Sequence, residues 1–104
     1  MGNRIEKFDT SIRVVTDERS AYGHPLDDFI QVNMIKVAVS GCPDPAVRHA
    51  LEMIGVKLAR LVTTPDHIDS IIDIAGYART IAMILDEREK RSRIEVSFPD
   101  GSVP

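Results

Sequence analysis

The segment that most constrains the fold is the run from Pro65 to Ala82, which reads PDHIDSIIDIAGYARTIA. Within it, Asp69, Asp73 and Tyr77 are spaced four residues apart, so a helix would place all three on one face. Isoleucine and alanine cover most of the remaining circumference. A helix this apolar needs several packing neighbours, which in a small chain predicts that a second subunit covers one of its faces.

Two carboxylates four residues apart on one helix repel each other, so a cation should compensate Asp69 and Asp73. The cation could be a Lys or Arg from a neighbouring helix, a bound metal or a ligand. The preceding predicted helix is joined by a short loop and should pack antiparallel, bringing Lys57 and Arg60 within reach. Two interpretations remain open. The four residues form an ionic cluster that fixes helix register, or they line a pocket in which the carboxylates hold Mg²⁺ and the cations contact phosphate oxygens.

Apolar spacing along the rest of the chain predicts an all-α fold, a bundle of three to four helices in a single domain over residues 1–104. We expect a flexible N-terminus over residues 1–9 and a short helix ending near Thr16. The other helices should span Pro25 to about Val39, Pro45 to about Leu61, and Pro65 to about Glu89. Asp44 and Thr64 are the predicted N-caps of the last two helices. The expected core stripe of the middle one comprises Val47, Leu51, Ile54, Leu58 and Leu61.

The C-terminal residues 93–104 change character, because apolar and polar side chains alternate before a Pro-Asp-Gly turn. This alternation predicts a short extended or β-like tail.

Composition limits the classes of function. The chain has 104 residues and a net charge of −3 without a concentrated basic face, which argues against nucleic acid as a partner. Cys42 is the only cysteine, so no intrachain disulfide can form. No apolar run is long enough to span a bilayer and the N-terminus lacks a signal-peptide pattern, which argues against a membrane partner. We therefore expect a cytoplasmic protein.

A second candidate element is Arg19-Ser-Ala-Tyr22-Gly23-His24-Pro25. A tyrosine in a loop that opens a helix can stack on a base while the helix N-terminus presents N–H groups to a phosphate. Alternatively, the tyrosine fills the domain's own core and the turn requires the glycine. The complete set of candidate ligand-binding residues is Arg19, Tyr22, Gly23, His24, Lys57, Arg60, His67, Asp69, Asp73 and Tyr77.

Gly76 lies in the middle of the predicted long helix, where glycine costs up to about 1 kcal/mol relative to alanine. The usual compensation for such a glycine is close approach of another helix. Contact between a ligand and the bare backbone is the rarer alternative.

Three segments together resemble a family of small, largely phage-encoded or prophage-encoded proteins whose domain has no assigned function. The family pattern is R-x-x-x-Y-G-x-P, then K-x-A-R, then P-x-H-x-D-S-x-x-D-I-A-G-Y-A. The corresponding segments here are Arg19 to Pro25 (one residue shorter), Lys57 to Arg60, and Pro65 to Ala78. The resemblance implies a helical protein of viral origin, located in the host cytoplasm, and supplies no reaction.

The family's loop usually reads Tyr-Gly-Asp-Pro, whereas this chain has His24 in place of the Asp. A broader likeness is to the all-α nucleotide pyrophosphohydrolases related to MazG, which bind Mg²⁺ through acids on facing helices. Their pattern is E-E-x-x-E followed by E-x-x-D, and neither half is present. The likeness therefore concerns architecture alone.

Three functions remain open. The first is a homo-oligomeric protein that binds a nucleotide or another phosphate-bearing ligand, for example to sequester a nucleotide signal of host immunity as an anti-defence protein. The second is a Mg²⁺-dependent nucleoside triphosphate pyrophosphohydrolase with Asp69 and Asp73 as metal ligands. The third is a module that binds a host protein and no small molecule. Whether the protein is an enzyme is open among them.

Overall fold

The computed structural model describes residues 3–17 and 22–96, which form four helices and contain no strand. The helices are α1 (Arg4–Asp17), α2 (Pro25–Val39), α3 (Pro45–Thr63) and α4 (Ile68–Val96). The predicted all-α class is therefore confirmed.

Side-chain caps fix the starts of α2 and α3, and Pro25 and Pro45 begin these helices as predicted. Asp44 Oδ1 accepts hydrogen bonds from the amides of Ala46 and Val47, at 3.0 and 3.1 Å. These bonds satisfy two amides that have no partner inside the helix. At the start of α2, His24 Nδ1 accepts from the amide of Leu26 at 3.1 Å.

The boundary between α3 and α4 differs from the prediction. Thr64 ends α3, because its amide donates to the carbonyl of Arg60 at 2.8 Å, and α4 begins only at Ile68. Pro65 disfavours helical geometry at the preceding residue, and Thr64 indeed has φ −129° and ψ 83°. The prediction of Thr64 as the N-cap of α4 is therefore wrong. His67 precedes α4 directly, and its carbonyl accepts from the amide of Ser70 at 3.1 Å.

Both ends of the chain are more helical than predicted. Asn3 Oδ1 accepts from the amide of Ile5 at 3.1 Å, and α1 begins at Arg4, inside the segment predicted to be flexible. At the other end, α4 continues to Val96, inside the segment predicted to be extended. Its last turns carry ion pairs at the i, i+4 spacing that stabilises helices, Glu87 with Arg91 and Glu89 with Arg93. The remainder of the predicted tail, 97–104, lies outside the described residues.

The packing is centred on α3, which contacts both α2 and α4. Within 3–17 and 22–96, α2 does not contact α4 and α1 contacts no other helix. Two ion pairs show that α3 and α4 are antiparallel. Lys57 pairs with Asp73 near the connecting loop, and Asp44 pairs with Arg88 at the opposite end of the hairpin.

The most buried residues of α3 are small ones, Ala50, Gly55 and Ala59. Of the predicted stripe, Leu58 is 42% exposed, while the other four members, Val47, Leu51, Ile54 and Leu61, are half-buried. A Cβ placed on Gly55 would lie 2.6 Å from Cγ2 of Ile35 on α2. Glycine is therefore required for the close approach of α2 and α3.

Most large apolar side chains of the described helices remain exposed. The chain has an accessible surface of 8066 Å², whereas a compact monomer of 11.5 kDa exposes about 5,800 Å². Its Cα radius of gyration is 20.2 Å, against about 13 Å for a compact domain of this length. No helix within the described ranges combines the length and apolarity needed to cross a membrane.

Candidate functional site

The centre of the candidate site is an ion pair between α3 and α4. Lys57 Nζ lies 3.0 Å from Asp73 Oδ2, and the side chains are 14% and 46% exposed. A cation from the neighbouring helix therefore compensates one of the two predicted carboxylates, as the sequence indicated. Asp69 is exposed, and it has no ion pair within the described part of the chain. The predicted four-residue ionic cluster is thus reduced to one pair.

Arg60 lies one turn further along α3 and contacts an aromatic ring instead of a carboxylate. Its guanidinium carbon is 4.4 Å from the centroid of the Tyr22 ring, which is cation–π geometry. Its Nε is buried and has no hydrogen-bond partner among residues 3–17 and 22–96. Arg60 consequently brings a positive charge to the site that no described carboxylate neutralises.

His67 contacts the same tyrosine from the start of α4. The two rings are edge to face, with centroids 5.5 Å apart and an interplanar angle of 88°. His67 Nδ1 is 2.7 Å from Ser70 Oγ, and Ser70 is 1% exposed. Tyr22, Arg60 and His67 form one cluster, which we call the Tyr22 cluster. Ser70, which sequence analysis did not single out, holds its histidine in place.

The loop before α2 brings Tyr22 to this cluster. Gly23 has a φ of +79°, in the left-handed region that favours glycine, and a Cβ on it would lie 3.5 Å from the side chain of Thr63. The turn therefore requires Gly23, which agrees with the alternative that the glycine is present for the turn. His24 is exposed and caps α2. Arg19 lies outside the described residues.

A shallow groove of about 350 Å³ runs along α4 beside the Lys57–Asp73 pair. It is lined by Ile72, Asp73, Gly76, Tyr77 and Thr80, all from one helix. Apart from the adjoining backbone of α4 itself, no described atom lies within 4 Å of the position where a Cβ of Gly76 would be, so the expected close helix approach does not occur within the described chain. The open side of the groove leaves room for a ligand or another chain.

The described ranges offer few side chains that could ligate a metal ion together. No group of three or more His, Cys, Asp or Glu side chains there is arranged to hold an ion. Of the two predicted Mg²⁺ ligands, Asp73 pairs with Lys57 and Asp69 faces solvent. Asp28 in the first turn of α2 is only 4% exposed. Its position in the sequence did not predict this burial.

Comparison with known proteins places these residues in a family. No curated protein and no solved structure matches the chain significantly. Residues 7–85 match the family model described as a domain of unknown function, DUF6378. The match includes all of α2, α3, the Tyr22 cluster and the first half of α4, and the chain belongs to the DUF6378 family.

Proposed function

We propose that this protein binds a small phosphate-bearing ligand, such as a nucleotide, at the Tyr22 cluster. The observation that carries the proposal is Arg60, a partly buried cation with no described carboxylate partner. The planar guanidinium donors of arginine suit phosphate oxygens, which it can bind in bidentate fashion. Removing such a charge from water without an anion is costly, so a bound anion would stabilise the site.

Neighbouring groups support the same ligand class. His67 can add a second donor at the helix start. Lys57 lies one turn away on α3, where Asp73 compensates its charge. The resemblance to phage-encoded proteins extends the proposal to sequestration of a host nucleotide signal. The hydrolase alternative would additionally require Asp69 and Asp73 to bind Mg²⁺.

The exposed apolar surface supports self-association as part of this proposal. Large apolar side chains on α1, α2 and α4, among them Phe8, Ile30 and Ile72, are between 52% and 63% exposed. Burying such side chains against a second copy would remove apolar area from water, which is the main driving force of most protein association. We therefore propose a homo-oligomer, and not a host protein, as the main use of these faces.

The test of ligand binding is a thermal-shift titration with pyrophosphate, nucleoside triphosphates and cyclic nucleotides, each with and without Mg²⁺. A ligand at 100 times its dissociation constant stabilises the folded state by about 2.7 kcal/mol. Arg60→Met should abolish the shift. Arg79→Met is the matched control, because Arg79 is an exposed arginine of α4 whose described side-chain partner is Met83, outside the cluster. The proposal fails if no anion shifts the melting temperature, or if both variants respond like the unaltered protein.

A further inference from the structure

The helix α1 is separate from the rest of the described chain although it is amphipathic. Ile5, Phe8, Ile12 and Val15 recur at alternating spacings of three and four, which puts them on one side of the helix. They are between 43% and 73% exposed. A row of this kind is the pattern with which one helix packs along another.

A matching row lies on α2, on the side opposite α3. Leu26, Ile30 and Val37 form this row together with Asn33, its one polar member, and Met34 lies at its edge. The four apolar side chains are at least 52% exposed. The α1 row spans about 15 Å and the α2 row about 17 Å at the rise of an α-helix. The two rows therefore match in length, and three of the four positions in the α2 row are apolar.

Charge on the flanks indicates how the two rows can meet. Each apolar row has two flanks, one formed by residues that come just before row members in the sequence and one by residues that come just after them. In parallel helices the first kind of flank on one helix faces the second kind on the other. In antiparallel helices two flanks of the same kind face each other. Parallel packing of α1 on α2 therefore places Arg4 on the side of Asp27, and Asp9 on the side of Lys36. Antiparallel packing places Arg4 with Lys36 and Asp9 with Asp27, so both sides carry like charges.

The connection between the helices disfavours parallel packing inside one chain. Only residues 18–24 join α1 to α2, a length at which neighbouring helices usually pack antiparallel, and α1 contacts no other described helix of its own chain. The complementary arrangement is therefore assigned to an α2 from another copy. A membrane surface fits α1 poorly, because Arg4, Lys7 and Arg13 are balanced by Glu6, Asp9 and Asp17, whereas surface-binding helices are rich in Lys and Arg.

We propose that two copies of this chain exchange α1, each α1 packing in parallel along the exposed face of α2 in the partner copy. This inference rests on the proposed self-association and specifies the surfaces that produce it. It does not depend on ligand binding. A two-fold axis repeats the contact, so each substitution in it acts twice.

The first measurement is the mass of the full chain by light scattering and sedimentation at several concentrations. The dimer should have twice the 11.5 kDa of one chain. Phe8→Asp should raise the dimer dissociation constant at least about 100-fold, since it removes a large apolar group and places a charge in the contact at both copies. Thr10→Asp is the matched control on the opposite side of α1 and should leave the mass unchanged. A monomeric unaltered chain, with or without binding of α1 to anionic vesicles, would overturn the proposal.

The second measurement distinguishes exchange from other dimers by cross-linking in a Cys42→Ser background. Ile5→Cys with Leu26→Cys pairs the N-terminal ends of α1 and α2 and should yield a reducible covalent dimer on oxidation. Ile5→Cys with Val37→Cys tests the antiparallel arrangement and should remain uncross-linked. An internal disulfide in the second variant would overturn the exchange. A stable dimer that Ile72→Asp on α4 dissociates and Phe8→Asp does not would overturn it too, while leaving self-association intact.

Discussion

The glycines of α3 and α4 provide a matched pair of substitutions with opposite expected effects. Gly55 and Gly76 both lie in helix interiors, where replacing glycine by alanine stabilises by about 1 kcal/mol. Apart from the adjoining backbone of α4 itself, a Cβ on Gly76 meets no described atom within 4 Å, so Gly76→Ala should gain that full amount. A Cβ on Gly55 would lie 2.6 Å from Cγ2 of Ile35. Gly55→Ala should therefore behave differently.

The size of the Gly55→Ala effect follows from what must move. Carbon atoms in contact lie about 3.5–4.0 Å apart, so α2 and α3 must separate by about 1 Å. Ile35 cannot relieve the contact by rotation, because a β-branched side chain in a helix has one strongly preferred rotamer. Overpacking of this kind costs about 1–3 kcal/mol, and subtracting the helix-propensity gain leaves a net loss of about 1 kcal/mol.

The variants are compared by thermal unfolding, which is monitored by circular dichroism at one fixed protomer concentration. The two predictions differ by about 2 kcal/mol, which corresponds to roughly 8–16 °C between the melting temperatures. In a double-mutant cycle, Ile35→Ala should remove the penalty of Gly55→Ala, because the clashing methyl group is gone. A Gly55→Ala protein that melts at or above the unaltered protein would refute the close approach of α2 and α3. A Gly76→Ala protein that melts lower would show that another chain occupies the α4 groove.

Three further substitutions test single contacts by the same melting assay. His24→Asp should stabilise by about 0.5–1 kcal/mol, because a carboxylate is a better N-cap than an imidazole; a lower melting temperature would assign His24 a role beyond capping. Ser70→Ala should cost about 1–2 kcal/mol, since it deletes the buried partner of His67; an unchanged melt contradicts this. Asp73→Asn should cost about 1 kcal/mol by leaving Lys57 without its carboxylate; a variant that melts at the same temperature as the unaltered protein at low salt would argue against it.

The helices could be predicted from sequence wherever local rules act without competition. Asp44 and Pro45 fixed the start of α3, because a capping acid and a proline at the first position agree with each other. At Thr64 two local rules conflict: threonine favours a cap, while Pro65 restricts the residue before it. The structure resolves the conflict by ending α3 at that point. At Ile94 and Val96, the alternating pattern indicated a strand, but helix-stabilising ion pairs just upstream prevail.

The site was only partly predictable, because its parts come from three separate segments. The short hairpin was sufficient to predict that Lys57 and Arg60 come within reach of Asp69 and Asp73, and one of the possible pairs, Lys57 with Asp73, is present. Nothing in the sequence indicated that Arg60 would contact the Tyr22 ring instead of a carboxylate, because this contact depends on the turn at Gly23. The fully buried small residues of α3 were missed for a similar reason, since apolar periodicity points to large residues and gives no sign of a close helix approach at small ones.

The central position of α3 has a consequence for how the chain folds. Its two contacts are both with sequence neighbours, and such local hairpins form quickly because little chain entropy is lost in closing them. Helical structure should therefore appear early and at a rate independent of protein concentration. If the chain self-associates as proposed, burial of the exposed apolar rows follows as a second-order phase that slows on dilution.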